Sequence, residues 1–261
     1  MKYKKEKMRI SACILTKNEE KNIGRCLQNI APYVDEIVIV DGFSEDKTVE
    51  IARKYTDKIY QKEFSGSFAV ERNYSIEQST GDWIFIMDAD EVCEKSLLAK
   101  LRELTNQNKY DAYSFIRKDV IPSGEVLDLP CGHPEINVRL AKRDKLRFYG
   151  AIHERAVVFG KVKFIPEIIY HHRGYTTDYP PEKEERFKRI AENAKQRDQG
   201  LNLSRSFLIR RGLKLVIQYF FNMFIGLGLY KRGISGLILS IRYTIRFTFY
   251  GISQYKKQGQ I

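Results

Sequence analysis

Between residues 10 and 106 short apolar runs take turns with amphipathic stretches, the pattern made when parallel strands are joined by crossover helices. ISACILT (10–16) and EIVIVDG (36–42) have strand length, and between them Asn18 to Ile30 sets Ile23, Cys26, Leu27 and Ile30 on one helical face. KIYQ (58–61) is a short third strand. Ser44 is placed to cap the helix after the second strand, with Glu45 and Asp46 in its first turn and Val49, Ala52 and Tyr55 turned inward. Phe68 to Gln78 makes a further helix carrying Arg72 and Asn73. Trp83 to Met87 (WIFIM) is nearly continuously apolar, as expected of a central strand covered on both faces.

A helix at 95–106 closes this half, and beyond it the rhythm changes. AYSFIR (112–117), INVRLA (136–141) and KVKFIP (161–166) are strand-like pieces separated by turn residues, with no crossover helices between them. The expected fold class is α/β: a mostly parallel, Rossmann-like sheet flanked by helices over residues 1–178, with a helical C-terminal extension over 179–261. Within the first part, 9–106 is the ligand-binding half and 107–178 extends the sheet.

With 43% hydrophobic residues the 261-residue chain can bury a sizeable core, which argues against disorder. Cys13, Cys26, Cys93 and Cys131 show neither a CxxC pair nor zinc spacing and read as reduced core thiols. MKYKKEKMR runs straight into ISACILT without an apolar leader segment, so a reducing cytoplasm is the expected location.

In open parallel sheets ligands bind beyond the carboxyl ends of the strands. Three strands end in polar residues there: Thr16-Lys17-Asn18-Glu19, Asp41-Gly42 and Asp88-Ala89-Asp90, which should ring one crevice. Two carboxylates in a D-x-D loop can share a divalent cation, and hard oxygen donors suit Mg²⁺ or Mn²⁺, which bind diphosphate oxygens and neutralise a leaving nucleotide. Alone, an acidic turn after a strand is more often solvated or a helix cap, so the order of the motifs around it decides.

That order is TKNE, then VDG with SxD next, then RN, then DAD, and it resembles family 2 glycosyltransferases of the GT-A fold over about residues 9–175. The chain looks most like the bacterial lipopolysaccharide-core and capsule glucosyltransferase type, whose pattern has a His-Glu pair and a later H-x-G-Y, matched by His153-Glu154 and His172-Arg173-Gly174-Tyr175. The resemblance implies a nucleotide-sugar donor, a UDP-sugar first of all. It places Thr16, Asn18, Glu19 and Asp41 against base and ribose, Arg72 near the pyrophosphate, and Asp88 and Ala89 against the nucleotide-sugar. Asp88 and Asp90 would hold the metal, Asp90 foremost, with His172 completing its shell and the neighbouring His171 as the competing ligand. It also implies inversion in a single displacement, with Glu154 as the base and Glu91 and Asp128 as lesser candidates. The bland reading of Glu154 is a loop acid paired with Arg155 or His153, and of His172 a hydrogen-bonded structural residue. The chain departs from the pattern at DGFSED, where many relatives carry a small residue or a second acid, so Phe43 is expected to line the base pocket.

The net charge of +12 is uneven, because from Gln199 to the end there is no Asp or Glu but ten Lys and Arg. Leu215 to Tyr230 is uncharged over 16 residues, short of the roughly 20 that span hydrocarbon. Arg210 with Lys214, and Arg242 with Arg246, would share helical faces with apolar residues on the others, which suits an anionic membrane interface. Packing as a helical cap or in a homodimer is the alternative. Nucleic acid is not an expected partner, since no motif for it interrupts the hydrophobic excess.

The expected protein is a cytoplasmic transferase, peripheral on the inner face of the cell membrane, that moves a hexose onto a glycan or lipid-linked acceptor in cell-surface polysaccharide or lipopolysaccharide synthesis. A nucleotidyltransferase would want a Gly-rich phosphate loop, which ILTKNEE lacks, and a non-catalytic nucleotide-sugar-binding module would not need intact Asp88, Asp90 and Glu154.

Overall fold

A computed structural model describes residues 7–107, 109–127, 135–150 and 154–175 continuously, and shorter pieces between 181 and 245. The first half runs β1 (Ile10–Thr16), α1 (Ile23–Ile30), β2 (Glu36–Asp41), α2 (Thr48–Ala52), β3 (Ile59–Gln61), α3 (Phe68–Glu77), β4 (Trp83–Asp88), β5 (Glu91–Cys93) and α4 (Lys95–Gln107). The second half is strand-rich: β6 (Ala112–Val120), β7 (Glu135–Lys142), β8 (Leu146–Tyr149), β9 (Arg155–Val158) and β10 (Val162–His172).

Eight strands form one sheet in the order β3-β2-β1-β4-β7-β6-β10-β5, and β8 pairs with β9 as a separate two-stranded sheet. β3, β2, β1 and β4 are mutually parallel, as the alternation of strand and helix requires. β7 then runs antiparallel to both β4 and β6, while β10 lies parallel to β6.

The period of two along the strands explains the apolar runs. Ile10, Ala12 and Ile14 of β1 face one side with α1 and the Leu97, Leu98 and Leu101 face of α4. Cys13, with Val38, Ile84 and Ile86 of the neighbouring strands, faces the other with Ala69 and Ile76 of α3. Trp83 opens β4 stacked on Tyr113 of β6, ring centroids 5.8 Å apart. The turn before it needs a glycine: a Cβ on Gly81 would meet Ser11 Oγ at 2.5 Å and Ser11 N at 2.8 Å.

Three local expectations differ from the structure. Ser44 does not cap α2; its hydroxyl turns back to Asp41, and Asp46 Oδ1 accepts the Thr48 N–H at 3.0 Å where the helix starts. Tyr55 is exposed, because α2 ends at Ala52, one turn too early to carry it inward. β10 continues past KVKFIP to His172, its pairing with β6 resuming at Ile168 after an irregularity, and so reaches β5. Cys13, Cys26 and Cys93 are buried free thiols; Cys131 lies outside the described residues.

The chain divides into two compact units, Met1–Asp198 and Gln199–Ile261. The second contains a 3₁₀ turn, Leu229–Arg232, and helical residues at 233–238, 240–242 and 244–245. Among the described residues no helix is long and apolar enough to cross a membrane.

Candidate active site

Strand register brings the three polar endings together. In the parallel pairs Thr16 lies beside Asp41, and Leu15 beside Asp88, so the TKNE, DG and DAD segments leave the sheet from adjacent strands at one edge. A fourth element joins them through the antiparallel β5–β10 pairing, which sets His171 opposite Glu91.

Asp88 is held by two guanidiniums. Arg72 Nη2 donates to its Oδ1, and Arg139 Nη2 reaches its Oδ2 at 3.3 Å. Burial alone would raise the Asp88 pKa, but Arg72 and Arg139 hold it well below the usual carboxylate range. Arg72, itself buried on α3, also donates through Nη1 to the Met87 carbonyl at 3.2 Å and through Nε to Glu154 Oε1 at 3.2 Å. One arginine therefore connects the D-x-D strand with the expected base.

Asn73, the next residue, faces the β8–β9 pair. Its Nδ2 donates to the Phe148 carbonyl and its Oδ1 accepts the Phe148 N–H, both at 2.9 Å. Glu154 immediately precedes β9, so the Arg-Asn dipeptide grips the hairpin with one residue and the acid beside it with the other.

Glu91 is fully buried beneath this cluster. Its Oε2 accepts the Asp88 N–H at 2.9 Å and its Oε1 accepts from Arg139 Nη2, so it braces the D-x-D turn from within. Burial pushes its pKa up to about 7, against the pull of Arg139.

Asp90 faces a second network. His171 Nε2 lies 3.1 Å from Asp90 Oδ2, and its Nδ1 lies 2.8 Å from Asp119 Oδ1, a buried carboxylate that also accepts from Arg173 Nη1 at 3.2 Å. Burial would lower the His171 pKa, but Asp119 and Asp90 together raise it to about 9. His172 approaches Asp90 by its backbone, its N–H donating to the Asp90 carbonyl at 2.9 Å, and burial with the nearby Arg25 charge lowers its ring pKa. In the H-x-G-Y run Arg173 thus serves Asp119, and its guanidinium lies 4.2 Å from the Tyr175 ring centroid.

Further along the same sheet edge Asp41 is fully buried and accepts from the Ser44 N–H at 2.9 Å and from its hydroxyl. Ser44 Oγ in turn accepts the Asn18 N–H at 2.8 Å, and Asn18 Oδ1 accepts the Glu45 N–H at 2.9 Å, so the two loops are laced together. Glu19 sits beside them, its N–H donating to Thr48 Oγ1 at 2.7 Å and its carboxylate accepting from Asn22 Nδ2 at 2.8 Å. Asn18 and Phe43 both hold positive φ, 55° and 59°, and Phe43 is 47% exposed on this rim. Among the described residues Thr16 Oγ1 is buried without a hydrogen-bond partner, and Ala89 is buried in the D-x-D turn.

A divalent cation at this edge would meet two candidate donors, Asp90 and His172. Asp90 offers a half-buried carboxylate, and the His172 ring carries no hydrogen bond among the described residues, whereas both ring nitrogens of His171 are engaged. The Asp88 oxygens are taken up by arginines. Among the described residues no three His, Cys, Asp or Glu side chains already form a metal cage.

Sequence reasoning did not find Arg139 or Asp119. The signal was present in a charged residue inside INVRLA and another ending the β6 run, since a charge buried within a strand needs a partner. Asp128 and His153 lie outside the described residues.

Residues 11–212 match Glycosyl transferase family 2. The chain belongs to that family. It is 28% identical over 173 residues to the SPbeta prophage-derived glycosyltransferase SunS of Bacillus subtilis, covering 64% of this chain and 40% of SunS. It is also 28% identical over 145 residues to a TPR repeat-containing protein of Synechococcus elongatus, covering 56% of this chain and 34% of that protein. The family 2 chain therefore spans well under half the length of these two relatives. Among solved structures it resembles S. aureus TarS 1-349 in complex with UDP-GlcNAc, with a TM-score of 0.50 and 15% identity over 92% of this chain and 81% of TarS. At that identity the likeness speaks to the fold alone, and the fold is GT-A.

Proposed function

We propose that this family 2 chain is an inverting, metal-dependent hexosyltransferase that uses a UDP-sugar and delivers the sugar to a glycan or lipid-linked acceptor in cell-surface polysaccharide or lipopolysaccharide synthesis. The observation that carries the reading is the Arg72 bridge, which ties Asp88 of the D-x-D strand to Glu154. The UDP-GlcNAc complex of TarS, a protein of the same fold, supports the choice of donor class.

In this reading the crevice between the Thr16–Glu19 and Asp41–Ser44 loops takes the base and ribose, and Phe43 offers an exposed ring to the base. Arg72 lies against the diphosphate. Asp90, with His172, would hold Mg²⁺ or Mn²⁺, which supplies charge neutralisation to the departing diphosphate, while Asp88 stays with its two arginines. Glu154 takes the proton of the acceptor hydroxyl as that oxygen bonds to the anomeric carbon from the face opposite the leaving group. The bond from the anomeric carbon to the diphosphate oxygen breaks, and the nucleoside diphosphate departs with its electron pair. The product sugar carries inverted configuration. The basic C-terminal unit holds the enzyme at the inner face of an anionic membrane, near a lipid-linked acceptor.

A donor screen by thermal shift with Mn²⁺ present tests this directly, because a ligand that binds only the folded state raises its stability. A UDP-sugar should raise Tm in wild-type protein and fail to do so in Asp90→Ala. No shift from any nucleotide-sugar, or an equal shift in both proteins, contradicts the reading.

A further inference from the structure

One helix of the C-terminal unit is built inside out. Ser240 Oγ donates to the Gly236 carbonyl at 2.9 Å and Thr244 Oγ1 to the Ser240 carbonyl at 2.8 Å, bonds to the residue four back that fix a single helical phase from 236 to 244. In that phase Gly236, Ser240 and Thr244 are buried. Ile234, Leu237, Ile238, Ile241 and Ile245 are exposed, Ile234 at 78% and Ile238 at 60%. At 3.6 residues per turn these five cover an arc about 100° wide, a continuous aliphatic stripe. A helix on a water-soluble surface turns such a stripe inward; among the described residues this one buries Gly236, Ser240 and Thr244 instead and leaves the aliphatic stripe outward.

The charge around the stripe says what covers it. Exposed Lys231 and Arg242 accompany it, and from Gln199 to the end the chain has ten Lys and Arg and no acid. A second copy of the chain would bring the same positive charge against this face, whereas an anionic bilayer offers both hydrocarbon and opposite charge. No described helix is long enough to cross a membrane, which suits a helix lying in the plane of the interface. We propose that the Ile234–Ile245 face inserts into the acyl boundary of an anionic bilayer, with Lys231 and Arg242 at the headgroup level. This rests on the membrane contact proposed above and deepens it by naming the aliphatic side chains that anchor the helix.

The test is sedimentation of the full chain with vesicles of phosphatidylglycerol and phosphatidylcholine, against phosphatidylcholine alone. Wild-type protein should bind the anionic vesicles and keep part of that binding at high salt. Ile238→Glu with Ile241→Glu should weaken binding by on the order of tenfold or more, and Arg242→Gln by about fivefold. Equal binding by the double variant overturns the proposal, as does wild-type binding that salt abolishes. A wild-type dimer in light scattering that the double variant converts to monomer overturns it in favour of a second copy. Donor hydrolysis measured on the same preparations is expected to be unchanged; its loss in wild type would sink the transferase reading while leaving the vesicle result to stand.

Discussion

Arg72 donates to Glu154 at 3.2 Å while its other nitrogens hold Asp88 and the Met87 carbonyl, so the expected base and the D-x-D strand share one side chain. Arg72→Ala should lower kcat/KM for transfer by about a hundredfold or more, the scale seen when a charge-stabilising group is removed from a site. Arg72→Lys should recover little of this, because an ammonium point charge cannot serve three acceptors in one fork. Initial rates at varied donor concentration check it. A lysine variant with near wild-type activity would show that only the charge matters.

Asn73 holds the hairpin that presents Glu154. Asn73→Asp keeps the size and the acceptor for the Phe148 N–H but loses the donor to the Phe148 carbonyl. It should cost about 1–3 kcal/mol of stability and lower kcat more than it raises donor KM, since the proposed role of Glu154 is to take the acceptor's proton. Urea denaturation and a kcat against KM comparison read the two effects separately.

Glu91 and Arg139 are buried, joined to each other and both bonded to Asp88. Their substitutions should be non-additive: in a double-mutant cycle of Glu91→Gln and Arg139→Gln the coupling energy should lie at about 1–3 kcal/mol. An additive cycle would mean that the pair does not act as one brace for the D-x-D turn.

Glu36 begins β2 and accepts from Lys58, Ser11 and Thr80. Burial would raise its pKa, but those partners bring it down to about 2 from 4.5. A carboxylate depressed in the folded state contributes stability above its unfolded pKa and loses it as pH falls through the folded value. Wild-type stability should therefore fall between about pH 4.5 and 2, by on the order of 1–2 kcal/mol from this group once solvent screening of the partly exposed Lys58 is allowed for. Glu36→Gln should be less stable at neutral pH and lose less across that window in acid titrations followed by circular dichroism.

The half of the fold that follows local rules was legible. β1, α1, β2, α3 and β4 fall within a few residues of their expected bounds because each is a buried strand or an amphipathic helix whose period is written in its own residues. The carboxyl-edge cluster followed from that, since parallel register alone places Thr16, Asp41 and Asp88 side by side. What periodicity does not encode is pairing across long separations. The return of β10 alongside β5 brings His171 to Asp90, and the antiparallel insertion of β7 beside β4 brings Arg139 to Asp88. Arg139, Asp119 and the distinct settings of His171 and His172 were hidden for that reason. Ser44 was misplaced for a smaller one, because a serine ahead of a helix can bond backward to an acid as well as forward to an amide.

The most direct test of the central claim is the rate of UDP release from a UDP-sugar with Mn²⁺, in wild-type protein and in Asp90→Ala, each with and without chelator. Asp90 is half-buried, so the variant should keep its fold and its Tm within a few degrees. The expected result is release by wild type that chelator abolishes and Asp90→Ala lacks. Release by Asp90→Ala at the wild-type rate, indifferent to chelator in both proteins, would contradict the account.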